Sequence, residues 1–132
     1  MFVVNYAQSK GMATLHKSVL DLKLVVDERA SYCPMRATLA LLGQKWVPRI
    51  VYELMRGKRR FNELACVVGG CNSRTLRDRL VGLEELGVIE RHVIAVTPPW
   101  VEYELTEKGQ KLGEVLRRLE EWARAYMADP IL

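Results

Sequence analysis

Residues 72–91 read NSRTLRDRLVGLEELGVIER. The order of features in this stretch decides the fold: a cap, an amphipathic helix, a glycine, then an apolar strand. Asn72 can cap a helix, because its side-chain oxygen accepts from the free backbone N–H groups of the first turn. Leu76, Leu80 and Leu83 follow at i, i+4 and i+7 and make one apolar stripe. At about 100° per residue, Arg74, Asp78 and Glu85 point away from that stripe and Arg77 lies on its flank. Gly87 suits the position after the helix, where a positive φ is required. A helix whose first two turns expose Ser73, Arg74, Thr75, Arg77 and Asp78 matches what major-groove readout uses. An ordinary surface helix can carry the same residues, so the flanking sequence has to discriminate.

Downstream of Gly87, Val88 to Ile94 is rich in β-branched residues and reads as a strand. Thr97-Pro98-Pro99 interrupts it. Trp100 to Leu105 then alternates apolar and acidic with period two, as a half-buried strand does. Two strands around a Pro-Pro tip form a hairpin, and a hairpin directly after such a helix is a wing. Upstream, Phe61 to Val67 reads as a short helix and Val68-Gly69-Gly70-Cys71 as the turn before Asn72, which together make a helix-turn-helix. Pro34 to Leu42 and Val47 to Met55 give two more helices. In the second, Trp46, Ile50, Val51 and Leu54 are expected on the core face and Pro48 in the first turn. Residues 12–28 repeat apolar positions at Met12, Leu15, Val19, Leu22 and Val26. Thr106 caps a last helix with the stripe Leu112, Val115, Leu116, Leu119, Trp122, Ala123 and Tyr126. The expected class is α+β, mostly helical: a winged helix-turn-helix over residues 31–107, with an N-terminal helical extension over 1–30 and a C-terminal dimerisation helix over 108–132. The apolar stripes of the two outer helices exceed what a small winged core can cover, and such surplus marks an interface.

The chain has 132 residues, enough for a core without disulfide or metal staples, with 49% apolar and 27% charged residues. No apolar run is long enough to span a bilayer, and the start MFVVNYAQSK lacks the pattern of a signal peptide, so a cytoplasmic protein is expected. The net charge is +4. Between Lys45 and His92 ten lysines and arginines face six acids, and the remainder of the chain is balanced. All the excess positive charge therefore lies with the helix-turn-helix, as a polyanionic partner requires.

The stretches CPMRATLALLGQKW, KRRFNEL, SRTLRDRLVGLEELGVIER and TPPWVEYELTEKG occur in that order from Cys33 onward. In combination they resemble the HxlR family of winged helix-turn-helix transcriptional regulators, which are MarR-like. The resemblance runs from Cys33 to about Tyr126. It implies a homodimer that binds double-stranded DNA at a roughly palindromic operator. It also implies a thiol response, since some relatives sense oxidants or electrophiles through the cysteine of the Cys-Pro pair, here Cys33. The chain departs from the family pattern at Gln44, where a second glycine is usual, at Trp100, where the wing is commonly basic, and in its longer N-terminal helix.

The expected DNA contacts are Ser73, Arg74, Thr75, Arg77 and Asp78 in the major groove, Lys58, Arg59 and Arg60 on flanking phosphate, and His92 on the wing strand. Arg79 adds a third arginine to the helix. Cys33 lies at a helix start, where free backbone donors favour thiolate chemistry. Cys66 is expected to be a buried small residue of the short helix. Cys66, Cys71 and His92 lack the fourth ligand and close pairs of a zinc site, and no metal or cofactor is expected. His16 and His92 show no acid or nucleophile partner in the sequence. Glu102 and Glu104 are expected to form a solvated face, with Glu102 available to an arginine. With no phosphate-binding glycine loop and no nucleophile elbow, an enzyme is not expected. A second class of function fits the same fold: a winged-helix module that binds another protein without sequence-specific DNA binding. Arg74, Arg77 and Arg79 on the outer face of the helix favour DNA.

Overall fold

A computed structural model describes residues 33–127. Its elements run in the order α1 (Pro34–Leu42), α2 (Val47–Leu54), β1 (Arg59–Arg60), α3 (Phe61–Val68), α4 (Ser73–Glu85), β2 (Ile89–Ala95), β3 (Trp100–Leu105) and α5 (Glu107–Tyr126). The helix expected over residues 12–28 lies outside the described residues.

Local chemistry fixes the boundaries. Pro34 occupies the first turn of α1, where its missing N–H costs nothing, and Gly43 closes the helix by donating to the Leu39 carbonyl at 2.8 Å. Trp46 departs from expectation. It precedes α2 in a left-handed conformation, φ 79°, rather than lying on the helix. Its ring is half-buried and approaches Gly70 in the α3–α4 turn. Gly69 and Gly70 both take positive φ there, 59° and 75°, which lets the chain reverse between the two helices in four residues.

The core is made where α2, α3 and α4 meet the sheet. Val47, Ile50, Val51 and Leu54 of α2 pack with Leu64 and Val68 of α3 and with Leu76, Leu80 and Leu83 of α4. Val88, Ile89, Tyr103, Leu105 and Leu116 close the cluster. The stripe read from Leu76, Leu80 and Leu83 is fully inside, each at 1% exposure or less. Burial of a leucine or isoleucine side chain is worth about 1.5–3 kcal/mol, so this cluster sets the angle at which α4 leaves the body. Glu53 is the one charged member, 4% exposed, and Arg49 one turn earlier meets it at 2.9 Å.

The sheet is antiparallel in the order β1-β3-β2. No strand is expected from the sequence at β1, where Arg59 and Arg60 read only as phosphate contacts. Two residues suffice for pairing because Arg59 faces Tyr103 and Arg60 faces Glu102 across β3. The helix α5 starts at Thr106, whose hydroxyl donates to the Gly87 carbonyl at 2.5 Å and accepts from Gly109 N–H at 3.1 Å. That pair of bonds ties the start of α5 to the end of α4.

Candidate nucleic-acid interface

The helix α4 is held by its cap and presents one face outward. Asn72 accepts from the Thr75 N–H at 2.8 Å. Ser73, Arg74 and Arg77 are exposed, while Thr75 and Asp78 are half-buried. The Arg77 guanidinium lies over the Phe61 ring of α3 at 5.2 Å, a cation–π contact. Arg79 does different work. Its Nε donates to the Lys45 carbonyl at 2.9 Å and ties α4 to the loop before α2. Helical spacing could have shown this, because Arg79 falls three residues after Leu76 and four before Leu83, on the edge of the apolar stripe.

The basic trio before α3 is part of the sheet. Lys58 reaches Glu104 at 3.7 Å. Arg59 is half-buried, with Nε shielded and without a hydrogen-bond partner. Arg60 lies over the Trp100 ring at 4.5 Å. The Trp100 indole N–H donates to Glu102 at 3.1 Å, so Glu102 takes an indole rather than an arginine. Trp100 is 40% exposed, one ring face covered by the body and the remainder open. A groove lined by Arg60, Phe61, Asn62, Arg77, Pro99 and Val101 separates the wing from the recognition helix.

The same face of the sheet, further along the hairpin, corrects the sequence reading. Glu104 is half-buried rather than solvated, and His92 does have acidic partners. His92 Nε2 lies 2.8 Å from Glu104 Oε1 and 3.5 Å from Glu90 Oε2. The partner was invisible in the sequence because it lies across the hairpin. Pairing of Arg91 with Tyr103 and of His92 with Glu102 puts Glu90, His92, Glu102 and Glu104 on one face.

Cys33 is exposed immediately before α1, and its carbonyl accepts from the Ala37 N–H at 3.1 Å. Cys66 is exposed, not buried. Leu64 and Val68 carry the inward face of α3, and Cys66 sits two positions from each, on the opposite side of the helix. Cys71 is half-buried in the turn before α4. Burial pushes its thiol pKa up, against the pull of Arg79 and Lys45.

A short helix, a glycine turn, a second helix with an outward arginine face and a hairpin beside it define a winged helix-turn-helix DNA-binding protein. The chain belongs to the HxlR-like helix-turn-helix family, which matches residues 41–130, and it is a transcriptional regulator of that type. It is 36% identical over 103 residues to the regulator YvaP of Bacillus subtilis strain 168, covering 77% of this chain and 94% of YvaP. It is 38% identical over 95 residues to the regulator YodB of the same strain, covering 71% of this chain and 85% of YodB. The reduced form of YodB superposes with a TM-score of 0.65 at 36% identity, over 73% of this chain and 95% of that one. The redox regulator HypR in its oxidised form gives a TM-score of 0.65 at 35% identity, over 73% of this chain and 99% of that one. No helix among the described residues is long and apolar enough to cross a membrane.

Proposed function

We propose that the protein binds a roughly palindromic DNA operator as a homodimer, with α4 in the major groove and the wing along the adjacent backbone. The observation that carries this reading is the outer face of α4, where Ser73, Arg74 and Arg77 stand exposed beside the basic β1 segment. Arg74 supplies the principal base contact. Arg77, steadied by Phe61, supplies a second, with Thr75 and Asp78 at the groove edge. Lys58, Arg59 and Arg60 face the flanking phosphates, with Arg60 carried on Trp100. His92 is engaged by Glu104 and Glu90, so base readout rests on α4. Selection from a random duplex library with the full chain tests the reading. An enriched inverted repeat is expected. Enrichment of no sequence, with weak salt-sensitive binding only, would replace it with a winged-helix module for another protein.

We propose further that Cys33 makes DNA binding responsive to electrophiles. Its support is exposure at the junction between the body and the N-terminal segment, together with similarity to YodB, which is known in diamide-treated and quinone-bound forms. Conjugate addition of the Cys33 thiol to a quinone forms an S–C bond at a ring carbon, breaks its C=C π bond, and places the thiol proton on one quinone oxygen. The ring C–H proton at that carbon then moves to the other oxygen, giving a hydroquinone thioether. No other reactant is required. Quinone is expected to release wild-type protein from its operator and to leave Cys33→Ser bound. Equal release of both would make Cys33 structural.

A further inference from the structure

The sheet face that carries Arg60 and Glu102 also holds a charge cluster that the base contacts of α4 do not use. Glu90 and Glu104 are register partners on β2 and β3. Like charges directly opposite each other on a sheet repel, so the pair calls for a cation between them. His92 stands at that point, with Nε2 2.8 Å from Glu104 Oε1 and 3.5 Å from Glu90 Oε2. Lys58 holds the other Glu104 oxygen, Oε2, at 3.7 Å, which leaves Oε1 turned toward His92 and Glu90. The three ligand atoms all lie within 4.8 Å of one another.

We propose that Glu90, His92 and Glu104 form a binding site for a divalent transition-metal ion of the zinc class. Neighbouring ligand atoms around a tetrahedral zinc, bound at about 2.0–2.1 Å, are separated by roughly 3.3 Å. The two imidazole–carboxylate separations of 2.8 and 3.5 Å bracket that value. The ion takes a position between the His92 Nε2 and the two carboxylate oxygens, and water completes its shell. One imidazole nitrogen with two carboxylate oxygens selects zinc, cobalt or nickel over magnesium and calcium. Two paired strands carry all three ligands, so their Cβ atoms are fixed before the metal arrives. Lys58 sets the Glu104 rotamer in the way outer-shell partners orient metal ligands. The site shares Lys58 with the basic β1 segment and uses none of the Cys33 chemistry.

The test is zinc titration of the full chain against a chromogenic chelator, repeated with cobalt to read its absorption spectrum. One zinc per chain is expected, unchanged by excess magnesium, with a cobalt spectrum lacking thiolate charge transfer. His92→Gln and Glu104→Gln should each weaken zinc at least about tenfold, the lower end of what loss of an outer-shell partner costs. Glu90→Gln, at an exposed position, gives the same reading if either of the others fails to fold. Cys66→Ser should bind zinc as the wild type does. The proposal is overturned if the wild type takes up no zinc, if the variants at 90, 92 and 104 retain wild-type affinity, or if the cobalt spectrum reports cysteine ligands.

Discussion

Arg74, Arg77 and Arg79 lie within six residues of one helix, yet their surroundings assign them three roles. Arg74 is exposed and stands about 160° from Leu76 at 100° per residue. Replacing it with alanine should cost about 1–3 kcal/mol of discrimination between the operator and a mutated half-site, measured by fluorescence anisotropy, with little change on unrelated duplex. Lys58→Ala should instead weaken all duplexes alike and reduce the slope of log affinity against log salt by about one unit. Arg79→Ala removes the bond to the Lys45 carbonyl and should lower stability by roughly 0.5–1.5 kcal/mol, seen in the urea midpoint, before any effect on base preference. The cysteines divide by the same logic. Cys33 and Cys66 are exposed, whereas burial raises the Cys71 thiol pKa and thins its thiolate at neutral pH. Timed iodoacetamide labelling with peptide mass mapping should find Cys71 modified last.

At the scale of elements, the sequence was most legible where one residue type has one use. Asn72, Thr106, Pro34 and Gly87 marked ends that the structure keeps, because caps and positive-φ turns depend on neighbours only a few residues away. The strand Trp100–Leu105 was legible from its alternation alone. What stayed hidden depends on contacts distant along the chain. β1 exists only because Tyr103 and Glu102 lie opposite Arg59 and Arg60, and the His92–Glu104 pair exists only through the hairpin register. Trp46 packs against the core as expected; what the spacing did not show is its left-handed backbone before α2 and the approach of its ring to the α3–α4 turn. The close approach of α5 to Val88 was likewise hidden. A Cβ on Gly109 would lie 2.0 Å from the Val88 carbonyl oxygen. Backbone cannot yield as a flexible side chain does, so Gly109→Ala should destabilise at the upper end of the roughly 1–3 kcal/mol typical of overpacking. Thermal unfolding reads that loss. An unchanged melting temperature would mean that α5 can shift off the sheet.

Across the whole molecule, among the described residues, an exposed apolar stripe runs along α5, besides smaller exposed apolar groups at Met35 and Leu39 of α1 and at Val93, Ile94 and Val96 of the wing. Val115, Leu119, Trp122 and Tyr126 follow at i, i+4, i+7 and i+11 along α5 and are 45%, 51%, 57% and 77% exposed. Trp122 and Tyr126 rings lie 6.0 Å apart and extend this stripe as one face. Leu116 and Gly113, further round the helix, are buried against the body, so the apolar arc of α5 is wider than the body covers, and pairs such as Arg118–Glu121 line the remaining side. A single surface helix of a small domain has no need of that extra apolar width. The proposed two-fold pairing of α5 with its copy would cover it and, being isologous, would place the two α4 helices symmetrically for an inverted repeat. The half-sites would then be spaced by one DNA turn, roughly 34–36 Å. Trp122 is the residue on which this depends most, since aromatic anchors at the centre of an interface are worth at least about 2 kcal/mol each. Trp122→Glu should therefore raise the dimer dissociation constant at least about 30-fold, measured by sedimentation equilibrium across a concentration series. The same variant should bind a single half-site as the wild type does while losing the added affinity of the second. A wild-type chain that sediments as a monomer at micromolar concentration would rule out this pairing, and operator symmetry would then need another source.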